Sequence, residues 1–89
     1  MESFVADRKG ILVGGFRHRE AALRFKGRID TLSDRWNQEN DVITRGPFDS
    51  PSRVYIEIRS GCWLYGCIAA IAKKEGGKIV NEFPLGGGL

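Results

Sequence analysis

Residues 53–59, RVYIEIR, alternate without a break between apolar and polar side chains. In an extended chain successive side chains point to opposite faces, so Val54, Ile56 and Ile58 share one face while Arg53, Tyr55, Glu57 and Arg59 share the other. Such a strand belongs to a sheet that buries one face and leaves the other wet. The rest of the chain must then supply partner strands and a layer of helix to cover the apolar face.

It does so by changing period along its length. Ile11 to Val13 is a short apolar run that ends at the Gly14-Gly15 pair, a strand and the turn after it. From His18 onward the apolar residues Ala22, Phe25, Ile29, Leu32 and Trp36 recur at steps of three and four, with Arg19, Lys26, Asp30 and Arg35 off that stripe. This predicts an amphipathic helix facing a core, and Gly27, off the stripe, weakens it without breaking it. VITRGPFDSPS reads as a second strand closed by Gly46-Pro47 and by the turn formers Asp49, Ser50 and Pro51. After the alternating strand, Ser60 is placed to cap a second helix, GCWLYGCIAAIAKKEGG, with lysines in its last turn and a glycine pair beyond. KIVNEF gives a last strand before the unpatterned tail PLGGGL.

The order is β-α-β-β-α-β, for which the expected fold is an α+β, ferredoxin-like four-stranded antiparallel sheet with two helices on one face. At 89 residues the chain is long enough for one such core and no second domain. Residues 1–9 and 84–89 are expected to be flexible ends. MESFVADRKG lacks the layout of a secretory signal and no apolar run is long enough to cross a bilayer, so a cytoplasmic protein with no membrane partner is expected. Cys62 and Cys67 are five residues apart in a stretch read as helix, a rotation of about 500°, which aims the thiols at different faces. Two reduced, packing thiols are expected, with no disulfide, metal or cofactor.

The net charge of +3 is modest, but its distribution is polar along the chain. Seven basic residues between Arg8 and Arg28 face one acid, Glu20, whereas Asp30, Asp34, Glu39 and Asp41 then face Arg35 alone. A basic patch at the start of the first helix follows, with Arg17 and Arg19 as its ligand-binding residues. On the wet sheet face, Tyr55 between Arg53 and Arg59 is the leading ligand contact. His18 is expected to pack or hydrogen-bond locally; nothing around it forms a catalytic triad, so no catalytic residue is assigned.

The second helix carries no charged side chain from Ser60 to Ala72. Leu64, Cys67, Ile68 and Ile71 suffice for its core stripe, which leaves Cys62, Tyr65, Gly66 and Ala69 as an uncharged outer face. Small residues there permit close backbone approach, so a homodimer or other protein partner is expected on this face.

Three family resemblances bear on function. ILVGGF is similar to the first-strand hexamer of RNA recognition motifs, which implies bases stacked on the sheet; Leu12 stands where that family offers an aromatic ring, leaving Tyr55 to stack. GGFR at a strand-to-helix turn resembles the anion-gripping loop of acylphosphatases, which implies a phosphoryl group held by backbone N–H groups and Arg17. VGGFRHREAALRFKGRIDTL resembles the first half of a SPOR domain, with RVYIEIRSG where the third strand should fall. That resemblance covers about the first third of the chain and implies a glycan, the denuded glycan of peptidoglycan, bound across the sheet face. The expected function is that of a small non-enzymatic binding protein that holds a glycan, protein or nucleic acid on its open sheet face and basic helix start. The alternatives are an inhibitor of phage or mobile-element type docking on a larger machine, an RNA-binding module and an acylphosphatase-like hydrolase.

Overall fold

A computed structural model describes residues 8–35, 42–48, 52–59 and 61–85. In chain order they form β1 (Arg8–Gly14), α1 (Arg19–Arg35), β2 (Val42–Phe48), β3 (Arg53–Arg59), a 3-10 turn (Trp63–Cys67), α2 (Ile68–Lys74) and β4 (Lys78–Leu85). The strands make one antiparallel sheet in the order β2-β3-β1-β4. The fold is α+β, with the element order that the changes of period predict.

The alternation of β3 sets the layering. Ile56 lies opposite Ile11 on β1, and Val54 opposite Val13, so these side chains line up on one face. They are fully buried, as are Phe25 and Ile29 of α1 and Leu64 and Ile68 of the second helical segment, all within one core cluster. Both helices therefore cover the same face of the sheet.

Helix α1 begins where His18 turns its ring back, so that Nδ1 accepts a hydrogen bond from the Ala21 N–H at 3.3 Å. This satisfies one of the amide donors that a helix start leaves unpaired. His18 is exposed and bonded locally. The stripe of Ala22, Phe25 and Ile29 is buried and Leu32 packs at its edge, while Trp36 lies outside the described residues. Ser33, buried at the same helix, donates to the Asp30 carbonyl at 3.3 Å, and Thr44 of β2 donates to the Asp30 carboxylate at 2.6 Å, tying the helix to the sheet.

Three expectations are corrected. Gly46-Pro47 does not close the second strand: β2 runs through both residues to Phe48. Arg45 pairs with Tyr55 and Phe48 with Arg53, so β2 spends one extra residue there as a bulge. Gly46 has φ 106°, a backbone conformation that side-chain-bearing residues avoid, and the bulge absorbs what would have been a turn. Next, the second helix is not continuous from residue 61. Its first part, residues 63–67, is a 3-10 turn, and the α-helix spans only Ile68–Lys74 before the Gly77 N–H closes it on the Ala72 carbonyl at 2.9 Å. Ser60, the expected cap, lies outside the described residues. Finally, Arg8, Lys9, Pro84 and Leu85, assigned to flexible ends, are paired in β1 and β4; the remainder of those ends lies outside the described residues. Cys62 is buried and Cys67 half-buried, and no disulfide joins them.

Candidate functional site

The sheet face opposite the helices is covered by no described element, and the register fixes what it displays. On that face Leu12 lies beside Tyr55, Gly10 beside both Glu57 and Phe83, and Arg45 beside Tyr55. The Tyr55 and Phe83 rings have centroids 6.2 Å apart with planes inclined by 23°. They come from strands that are not neighbours, since β1 lies between β3 and β4.

Gly10 explains how they meet. A Cβ placed there would stand 2.6 Å from Phe83 Cε2 and 2.9 Å from the Tyr55 hydroxyl, too close for either ring to keep its position. The missing side chain leaves a gap on the central strand into which both rings lean, the use of a strand glycine where another group approaches closely. Apolar side chains extend the floor on either side. Ile43, Phe48 and Val80 are three of the five large exposed hydrophobic residues among those described, and their register places all three on this face.

The border is cationic. Arg8, Arg45, Arg53 and Arg59 project on the same face by register, against the carboxylate of Glu57. Arg8 Nε donates to Glu57 Oε2 at 3.2 Å, so that pair neutralises itself. Arg45 and Arg53 have no ion-pair partner among the described residues. Partial burial, and then the Glu57 carboxylate, push the Tyr55 phenol above its ordinary value of 10.0, against opposing pulls from Arg45 and Arg8. Tyr55 is thus a neutral ring at neutral pH, suited to stacking and unsuited to act as a base.

The remaining predicted residues lie elsewhere. Arg17 lines an open cleft of about 320 Å³ between the start of α1 and the end of α2, together with His18, Arg24, Lys73, Lys74 and Glu75. Arg24 Nε meets Glu75 Oε1 there at 3.0 Å. Arg19 is exposed on the first turn of α1 and does not line this cleft. The basic helix start and the wet sheet face, read together from the sequence, are separate places. The four residues expected on the outer face of the second helix also part company. Cys62 is 7% exposed in the core, and Tyr65 is half-buried, accepting from Lys9 Nζ at 3.2 Å and donating to Glu82. Gly66 and Ala69 alone are exposed. The 3-10 turn, with about three residues per turn, shifts the phase on which a continuous α-helix would have placed all four together.

Phe83, Gly10, Phe48 and Arg45 were not read as site residues from the sequence. Strict alternation through KIVNEF puts Phe83 on the face of Ile79, toward the core. A bulge in β4 changes that: Val13 pairs with Ile79 but Leu12 with Asn81, so the extra residue Val80 moves Asn81 and Phe83 to the open face. No protein-family model, characterised protein or solved structure matches the chain.

Proposed function

We propose that this chain is a non-enzymatic binding module of ferredoxin-like architecture that holds an extended partner on its open sheet face. The sheet order β2-β3-β1-β4, with both helices over one face, supports that architecture. The observation that carries the function is the Tyr55–Phe83 pair over Gly10, two rings from non-adjacent strands brought together on the uncovered face and bordered by arginines. Tyr55, Phe83 and Arg53 are half-buried and Arg45 is exposed, and aromatic and arginine side chains are the groups enriched where proteins bind partners. Their chemistry is one of holding: a neutral phenol, a phenyl ring and guanidinium ions neither attack nor exchange protons near neutral pH.

The same face is where the SPOR-like resemblance would place a glycan and the RNA-recognition resemblance would place bases. An acylphosphatase-like reading would instead centre on Arg17, which lies in the cleft on the helix side. Capture from a cell lysate on immobilised wild-type chain, in parallel with a Tyr55→Ala, Phe83→Ala variant of unchanged circular dichroism, tests the proposal. Whatever the wild type retains should be lost from the variant. Equal retention by both would overturn it, and acyl-phosphate hydrolysis abolished by Arg17→Ala would replace it with the enzyme reading.

A further inference from the structure

Charge and geometry together narrow the partner. We infer that the sheet face takes a single-stranded nucleic acid, with one base on the Tyr55 ring, a neighbouring base on the Phe83 ring, and phosphates against Arg45 and Arg53. The inference rests on the sheet-face reading and adds the chemistry of the occupant. Flat rings offered on an open surface accept any base, because every base has a π-face. The two ring centroids, 6.2 Å apart across the central strand, suit adjacent bases that have come unstacked from one another on an extended strand. A duplex keeps its bases inside and cannot use such a floor.

The border selects the backbone. Among the described residues the one carboxylate on this face, Glu57, is already held by Arg8, and Arg45 and Arg53 flank it on β2 and β3. An uncharged glycan would also stack on rings, but it gives these cations nothing to neutralise. A phosphodiester chain passing over the rings meets Arg45 on the β2 side and Arg53 at the start of β3, both without an ion-pair partner among the described residues. Arginine adds cation–π contact with bases to its charge. On the helix side Lys9 lies 4.0 Å from Glu82 and Arg24 lies 3.0 Å from Glu75, and the basic cleft lined by Arg17, Lys73 and Lys74 has no phenyl, phenol or indole ring among the described residues of its lining on which a base could stack.

Gly10 makes the inference sharp. It touches no ligand, so its role is to position the rings. Gly10→Ala displaces one ring or both while leaving charge and apolar content almost unchanged.

The test is fluorescence anisotropy with labelled ten-nucleotide oligo-dT and oligo-U, a duplex of the same length, and heparin as a polyanion without bases. Both single strands should bind, the duplex and heparin much more weakly, and the DNA and RNA arms identify which backbone is preferred. Tyr55→Ala and Phe83→Ala should each weaken oligonucleotide binding by roughly 10- to 100-fold. Tyr55→Leu, which keeps the bulk on the strand, should behave like Tyr55→Ala, so a loss through unfolding is separable from a loss of stacking. With two phosphates neutralised, affinity should fall about 7-fold between roughly 50 and 200 mM salt. Gly10→Ala should weaken single-strand binding and leave heparin unaffected. Absence of oligonucleotide binding at low salt, or binding that is indifferent to both rings, overturns the inference. If lysate capture depends on the rings yet survives nuclease, the sheet-face reading stands and this inference falls; if capture ignores the rings, both fall.

Discussion

Gly46 and Tyr55 show how single positions carry the sheet. At Gly46 a Cβ would lie 2.8 Å from the Arg53 carbonyl oxygen, and φ is 106°, so an alanine there is both crowded by backbone and strained. Gly46→Ala should destabilise the chain by about 2 kcal/mol or more, read as a lower midpoint of denaturant unfolding; an unchanged midpoint would mean that the bulge re-forms without it. Tyr55 links stability to alkaline pH. Its folded pKa is raised, so the folded chain keeps the phenolic proton more tightly than the unfolded chain. Its stabilising contribution is therefore full below the ordinary tyrosine value near 10 and is lost as pH rises through the folded value. Stability should fall with pH above about 10, and fall less steeply in Tyr55→Phe when both are followed by unfolding curves.

Among the elements, α1 and β3 were legible in the sequence because each keeps one period over its whole length. Phe25, Ile29 and Ala22 are buried where the helical stripe places them, and Val54, Ile56 and Ile58 where alternation places them. β2 and β4 were only half legible. In each a bulge inserts one residue, at Gly46-Pro47 and at Val80, and every side chain beyond it changes face. That is why the sequence offered Tyr55 as a lone ring and hid Phe83. The second helix failed for a related reason: three residues per turn over 63–67 and 3.6 afterwards cannot be told apart from a charge-free run of small and apolar residues. Within α1, Gly27 is exposed and a Cβ there meets nothing within 4 Å. Gly27→Ala should therefore stabilise the chain by about 0.5–1 kcal/mol, visible as a higher melting temperature, because it limits the unfolded backbone without touching the folded one. A lower melting temperature would show that this helix surface has a contact beyond the described residues.

At the scale of the whole molecule, the two faces of one sheet carry different duties, and a comparison of substitutions separates them. A chain of 89 residues is stabilised in total by roughly 4–13 kcal/mol. Phe25 is fully buried in the single core cluster and its ring lies 5.3 Å from that of Phe16, so Phe25→Ala empties a site with neighbours on every side. The expected cost is about 3–5 kcal/mol, enough to remove most of the cooperative thermal transition. Tyr55 and Phe83 are only half-buried, and of the apolar residues on the open face Leu12 is half-buried while Ile43, Phe48 and Val80 are exposed. Replacing both with leucine keeps apolar bulk on the strands and gives up one aromatic contact, at a cost of about 1–2 kcal/mol. Circular dichroism melts of the two variants should therefore differ widely, with the double leucine variant retaining a sharp transition a few degrees below wild type. If that variant melts as early as Phe25→Ala, the ring pair is part of what holds the sheet together, and its exposure on the open face no longer argues for a partner.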